Sequence, residues 1–127
     1  MERSKIENAE FRFGDWGPGY LMRGPRIDVG VVQLRAGDAF TNHYHAKIEE
    51  CFIVLEGEAT LWSDCKDKFT LRAGDVHRCD PGEMHYFVNE SDSNFKAVFI
   101  KAPWDPEDVV QVPWEPGDPI PELPERE

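Results

Sequence analysis

The chain has no apolar run near the roughly 20 residues a membrane helix requires, and its opening stretch, Met1 to Phe11, lacks the apolar centre of a secretory signal. Both absences predict a protein that stays in the cytosol where it is made. Basic residues are scarce, 14 against 25 acidic ones, for a net charge of −11. That balance repels phosphate backbones and anionic lipid at long range, so nucleic acid and membrane surfaces are not expected partners. A DNA-binding helix pair is also missing, which argues against a helix-turn-helix regulator. Cysteine is sparse: Cys51, Cys65 and Cys79 form an odd set without close pairing, which suits reduced thiols better than a disulfide framework. No repeat of 20 to 50 residues marks a solenoid.

What is present is enough for one core. A chain of 127 residues fits a single compact domain, and 40% hydrophobic with 12% aromatic residues excludes wholesale disorder. Charge and proline divide it unevenly. Residues 103–127 hold seven of the ten prolines and eight acids against one base, Arg126, so this tail carries −7 of the total charge. Proline at that density forbids continuous helix or central strand. Asp105-Pro106 resembles an N-cap and first-turn proline for a short helix over 107–111, and Trp104 and Trp114 are candidates to dock the tail. Two readings stay open for it: a partly ordered acidic extension that aids solubility, or an arm over the body or a neighbouring subunit. Residues 1–26, punctuated by glycine and proline, read as a lead-in.

Between them, residues 27–102 read as a β-barrel. Short segments rich in Val, Ile, Phe and Thr alternate with glycine and aspartate turns, giving candidate strands at 27–35, 39–45, 50–56, 58–63, 69–72, 76–79, 85–89 and 95–101. Nothing long and helical intervenes. About eight short strands imply antiparallel pairing, and closing the sheet removes its edges, so the predicted fold is an all-β antiparallel jelly-roll barrel with a proline-rich acidic C-terminal tail.

Three histidines and one glutamate lie where strands can bring them together. His43 and His45 share a face of an extended strand, while Tyr44 points away. Glu50 opens an apolar strand after a short break, and His85 begins another just after the turn at 80–84. Three imidazoles and one carboxylate make a donor set suited to a divalent first-row metal, with positions left open for water or substrate. Taken singly, each is weak evidence: paired histidines on one strand face are often merely exposed or hydrogen-bonded, and a lone turn histidine is commonly just packed.

The spacing around these residues resembles the cupin superfamily of small metal-binding jelly-roll barrels. Its first motif is matched by Gly37, five residues, His43-Tyr44-His45, four residues, Glu50, six residues, Gly57. Its second is matched by Gly74, five residues, Asp80-Pro81-Gly82, two residues, His85, three residues, Asn89. Asp80 stands in the place of the motif's first proline, a departure in turn stiffness and not in a ligand. The motifs span 37–89, 53 of 127 residues. The resemblance implies His43, His45, Glu50 and His85 as ligands of one divalent transition metal ion: iron, manganese, nickel, zinc or cobalt. Glu49 is rejected as the carboxylate because it would face away from Glu50 and break the spacing to Gly57.

Around that centre, strand parity places Phe52 and Val54 on the face of Glu50, and Phe87 on that of His85, as an apolar lining. Thr41 shares parity with His43. These residues, with Arg78, are candidate substrate contacts. Arg35, Arg72 and Lys101 join Arg78 as cations able to hold an anionic group. Tyr44, His77 and Tyr86 are candidate proton carriers, each with packing or exposure as the plainer role. Cys51 is expected to act as a small core hydrophobe. Family resemblance implies a small-molecule ligand such as a sugar, sugar acid or carboxylic acid, and isomerase, lyase or decarboxylase chemistry. An iron-dependent dioxygenase and a non-catalytic small-ligand or metal-binding module are the alternatives. Resemblance and the short chain together predict a homodimer.

Overall fold

A computed structural model describes residues 1–126 of the chain. It is all-β. One five-stranded sheet holds β1 (Gly17–Arg23), β2 (Asp28–Leu34), β4 (Glu49–Glu56), β7 (Val76–Cys79) and β9 (Phe95–Ala102) in the order β1-β2-β9-β4-β7. The other holds β3 (His43–Tyr44), β5 (Glu58–Ser63), β6 (Asp67–Arg72), β8 (His85–Val88) and β10 (Val110–Gln111) in the order β10-β3-β8-β5-β6. All pairings of these strands are antiparallel. Among the described residues the one helical piece is a 3-10 turn, Ile6–Asn8, and no helix is long and apolar enough to cross a membrane.

The strands form where the sequence alternates. Along β9, Phe95, Ala97 and Phe99 are buried while their neighbours Lys96, Val98 and Ile100 are only half-buried, the period-2 signature of one face turned to a core. The register then sorts the inner face into rows. Asp28 pairs with Lys101, Lys101 with Glu50 and Glu50 with Cys79, which makes a polar row at one end of the barrel. The next row is Gly30, Phe99, Phe52 and His77. Beyond it come Val32, Ala97 and Val54. Charge gives way to aromatic rings and then to aliphatic side chains, and the core closes on Leu34, Leu61 and Phe95, each 0% exposed. Gly30 is required by the aromatic row: a Cβ there would stand 2.2 Å from the Phe99 ring and 2.7 Å from the Gly19 carbonyl oxygen. Gly57, joining β4 to β5, has φ +73, and a Cβ would meet the Asn94 carbonyl oxygen at 2.1 Å. No L side chain fits that turn.

Four local expectations change. Residues 17–23, inside the expected lead-in, form β1, because an edge strand tolerates the Gly17-Pro18-Gly19 run that a central strand would not. The expected strand over 39–45 shortens to His43–Tyr44, with an isolated bridge from Ala39 to Val88. The expected helix over 107–111 is instead a single turn, in which Asp105 Oδ1 accepts the Glu107 N–H at 3.2 Å, followed by β10 on the edge of the second sheet. Cys51 lies half-buried on the outer face of β4, across from Ile100, because its parity opposes that of Glu50. All three cysteines are free thiols.

At Trp114 the tail docks on the second sheet's outer face. Trp114 is 6% exposed and packs edge-on against Trp62 and Tyr86, with ring centroids 5.7 and 5.8 Å away. Trp104 covers Gly24 while remaining 40% exposed, and Arg126 pairs with Asp64 at 2.5 Å.

Candidate metal centre

His43, His45, Glu50 and His85 converge at the polar end of the barrel, with one ligand atom from each lying within 4.8 Å of the others. Strands from both sheets deliver three of them, β3 and β8 placing His43 directly across from His85 and β4 bringing Glu50 from the facing sheet, while His45 lies just past the end of β3. Glu50 is 5% exposed and His85 2%.

Each imidazole is held by its Nδ1. His43 donates to the Thr41 carbonyl at 2.8 Å, His45 to the Asp108 carbonyl at 2.5 Å and His85 to the Glu83 carbonyl at 3.2 Å. A carbonyl can only accept, so the proton of each ring belongs on Nδ1, and a neutral ring then presents the lone pair of Nε2. His45 Nε2 and His85 Nε2 both stand 3.3 Å from Glu50 Oε1, and the buried His85 Nε2 has no hydrogen-bond partner. With the rings neutral, lone pairs of imidazoles and a carboxylate thus face one another, and a donor stands between His45 and Glu50 only when His45 is protonated. Such a set is satisfied by a cation, and the outward Nδ1–H bonds to carbonyls are the supports that metal-binding imidazoles use. The cluster could hold a metal ion.

The titration behaviour has the same origin. Burial, reinforced by the neighbouring His85, pushes His43 down to about 3, so that ring stays neutral. Burial also opposes charge on His45, but the hydrogen bond and charge of Glu50 outweigh it and raise that ring. Burial alone would raise Glu50. His45, His85 and the Lys101 charge hold it well below the usual carboxylate range.

A cavity of about 380 Å³ opens beside the cluster, within the size range of small-ligand sites. Thr41, Phe52 and Phe87 line it as parity suggested, and so does Lys101. Thr41 Oγ1 donates to Gln111 Oε1 at 2.7 Å. Val54 sits deeper, in the aliphatic core. Arg78 points outward, bound to Asp80 at 3.0 Å, and Arg35 and Arg72 are held by Asp38 and Glu58 at 2.9 and 3.3 Å. These three guanidiniums have local partners and stand outside the cavity.

The candidate proton carriers stand outside it too. Tyr44 and Tyr86 pack with Trp114 and Met84 on the outer face of the second sheet, and burial, with Glu115 and Glu90 nearby, raises the Tyr86 phenol. His77 faces inward one row below Glu50, where it forms a second group with Cys79 and Glu83, their ligand atoms also within 4.8 Å of one another. Ser63 Oγ donates to Glu83 there at 3.0 Å, and burial pushes the Cys79 thiol well up, so it stays protonated.

The sequence reading missed one whole wall of the cavity. Arg12, Tyr20 and Arg23 come from the N-terminal segment, Asp28 from the start of β2, and Asp105, Asp108 and Val109 from the tail. Asp108 clamps the tail to the barrel, its carboxylate accepting the N–H groups of Ala46, Lys47 and Ile48 at 2.8 to 2.9 Å while its carbonyl takes His45. Burial would raise that carboxyl, but the three backbone donors keep it below its ordinary value. No spacing motif announces these positions.

Comparison with known proteins gives one consistent picture. The family described as "Cupin domain" matches residues 30–101. An uncharacterized protein with a double-stranded β-helix domain from Klebsiella pneumoniae superposes with a TM-score of 0.76 at 20% identity, covering 87% of this chain and 96% of that one. A Cupin 2 conserved barrel domain protein from Salinispora arenicola gives 0.66 at 26% identity, covering 84% and 90%. A sugar phosphate isomerase of the cupin superfamily from Silicibacter pomeroyi gives 0.67 at 20% identity, covering 80% and 75%.

Proposed function

Because the chain belongs to the cupin family, whose match covers more than half of it, we propose that it is a metal-dependent enzyme. Its substrate is a small oxygenated metabolite, a sugar, sugar acid or carboxylic acid, and its chemistry an isomerisation, lyase or decarboxylase reaction. The observation that carries this reading is the inward-facing set of lone pairs on His43, His45, Glu50 and His85, opening onto a cavity with room for a small ligand. We assign these four as ligands of one divalent transition metal. Bound there, the ion would polarise a carbonyl or hydroxyl of the substrate.

The protein's own groups do the rest. The three backbone carbonyls orient the imidazoles before any metal arrives, so little reorganisation accompanies binding. Phe52 and Phe87, edge to face at 4.9 Å, form an apolar floor that excludes water from the reacting end. Isomerase chemistry gains support from the sugar phosphate isomerase sharing this fold. We also propose a homodimer: the outer face of the first sheet presents Ile53 and Val76, 36% and 69% exposed, beside Val98 and Ile100. Light scattering at the mass of two chains is the expected result.

The enzyme reading is tested with natively purified protein reloaded with the metal that elemental analysis finds in it. Sugars, hydroxy acids and keto acids are offered while product formation is followed by NMR and oxygen uptake by electrode. Turnover without oxygen uptake is expected. Stoichiometric uptake would replace the reading with a dioxygenase, and tight binding without turnover would replace it with a binding module.

A further inference from the structure

Resting on that reading of the centre, we infer that Lys101 and Tyr20 form a carboxylate-binding subsite beside the metal, so that the substrate is a short hydroxy- or keto-carboxylate. Lys101 on β9 is the direct cross-strand neighbour of Glu50 on β4, and both face inward. Directly opposed residues have Cβ atoms about 5 Å apart. A group held by Lys101 is therefore only a few bonds from an atom held at the four-residue cluster.

Hydrogen-bonding capacity then defines what the subsite takes. Lys101 Nζ donates to Tyr20 Oη at 2.6 Å, and among the described residues it has no carboxylate within 4.0 Å. The ammonium also lies over the rings of Tyr20 and Phe99, 5.1 and 5.4 Å from their centroids, and so rests on neutral groups without an ion-pair contact in a chain of 25 acids and 14 bases. The acidic groups bordering the cavity, two of them cross-strand neighbours of Lys101, each have other contacts. Asp28 accepts the Gly24 N–H at 3.1 Å and faces the Arg23 guanidinium at 3.9 Å. Asp108 takes three backbone N–H groups, Asp105 takes one, and Glu50 belongs to the cluster. Tyr20, having accepted from Lys101, keeps its own O–H proton with no partner among the described residues. Lys101 retains further N–H donors, since an ammonium has three.

Alongside its acidic neighbours Asp28 and Glu50, this corner thus presents N–H and O–H donors and a positive charge to the cavity, the complement of an anion. It is rigid as well: the Tyr20 ring lies edge-on against Phe99 at 5.2 Å and under the Arg23 guanidinium at 4.0 Å. Two side-chain donors converging from adjacent positions suit a carboxylate, and among the described residues no helix N-terminus borders them to cradle a phosphate.

The test uses full-length protein with and without Mn²⁺, titrated calorimetrically and by ligand NMR with three probes on one carbon skeleton: glycerate, glycerol and glycerol 3-phosphate. Wild type is expected to bind glycerate at least tenfold tighter than glycerol. Lys101→Gln and Tyr20→Phe should abolish that preference while Mn²⁺ stoichiometry is unchanged, and Lys101→Arg should keep part of it. Without Mn²⁺, glycerate binding should weaken but retain its dependence on Lys101, so failure of the metal assignment would leave this signature intact. Equal binding of glycerate and glycerol by wild type, or a preference that survives Lys101→Gln, would overturn the subsite. A stronger Lys101-dependent preference for glycerol 3-phosphate would overturn the carboxylate assignment.

Discussion

The two ends of the barrel are made by the same strands and behave as different materials. Along β4 the inward residues run Glu50, Phe52, Val54, along β9 Lys101, Phe99, Ala97, Phe95, and along β8 His85, Phe87. Each strand carries ionisable groups at the open end and apolar ones at the closed end, with an aromatic layer between. Stability and chemistry are thereby separated along the strand axis. The closed end is dry and close-packed, so every methylene removed there leaves a void. The open end already borders a cavity, and trimming a side chain that lines it changes what the cavity binds more than how the barrel folds.

The widest gap between the ends should appear on truncation. Phe95→Ala, at a fully buried site, is expected to cost about 3 to 5 kcal/mol in denaturant unfolding. His43→Ala, beside the cavity, should cost the metal-free protein about 1 kcal/mol or less while impairing metal retention. A comparable loss of stability at the two positions would dissolve the distinction. Next comes the boundary layer. Gly30→Ala drives a methyl into the Phe99 ring and the Gly19 carbonyl, and should cost about 1 to 3 kcal/mol while displacing Phe99 into the cavity. A crystal structure of the variant would show whether the ring moves.

The tail supplies a smaller effect with a pH signature. Asp108→Ala removes three hydrogen bonds from charged acceptor to backbone, and should cost on the order of 1 to 2 kcal/mol, read as faster amide exchange at Ala46, Lys47 and Ile48. Because the folded-state value of Asp108 lies below the ordinary 3.8, the clamp is fully present above that pH. It is lost as pH falls through the depressed value. Protection of those amides in wild type should therefore persist at pH 5 and fade in strong acid. Least of all, Arg78→Ala, on the outer face with exposed partners, should change stability by about 0.5 kcal/mol or less and leave ligand binding untouched.

Much of the open end was legible in the sequence, because its four donors sit at fixed spacings around turn glycines at positive φ, of which Gly57 has no room for a side chain. The closed end was legible from alternation. What parity cannot supply is the row. His77 shares an inward face with the cluster, yet register sets it beside Phe52, one layer too deep. Lys101, Arg35, Arg72 and Arg78 looked equivalent in sequence, but only the register pairing of Lys101 with Glu50 singles it out, while the others are ion-paired with Asp38, Glu58 and Asp80 at 2.9 to 3.3 Å. The N-terminal wall was hidden by Pro18 and its flanking glycines, which an edge strand accommodates. The tail was hidden because proline density reports the absence of helix, and not the docking of Asp108 and Trp114.

The central claim is that one cation holds the open end together. Metal content by elemental analysis, measured on wild type, His45→Ala and Glu50→Ala alongside circular dichroism, tests it most directly. One equivalent of a first-row divalent metal in wild type, sharply reduced in both variants with the β signal retained, is the predicted result. Undiminished metal in both folded variants would contradict it.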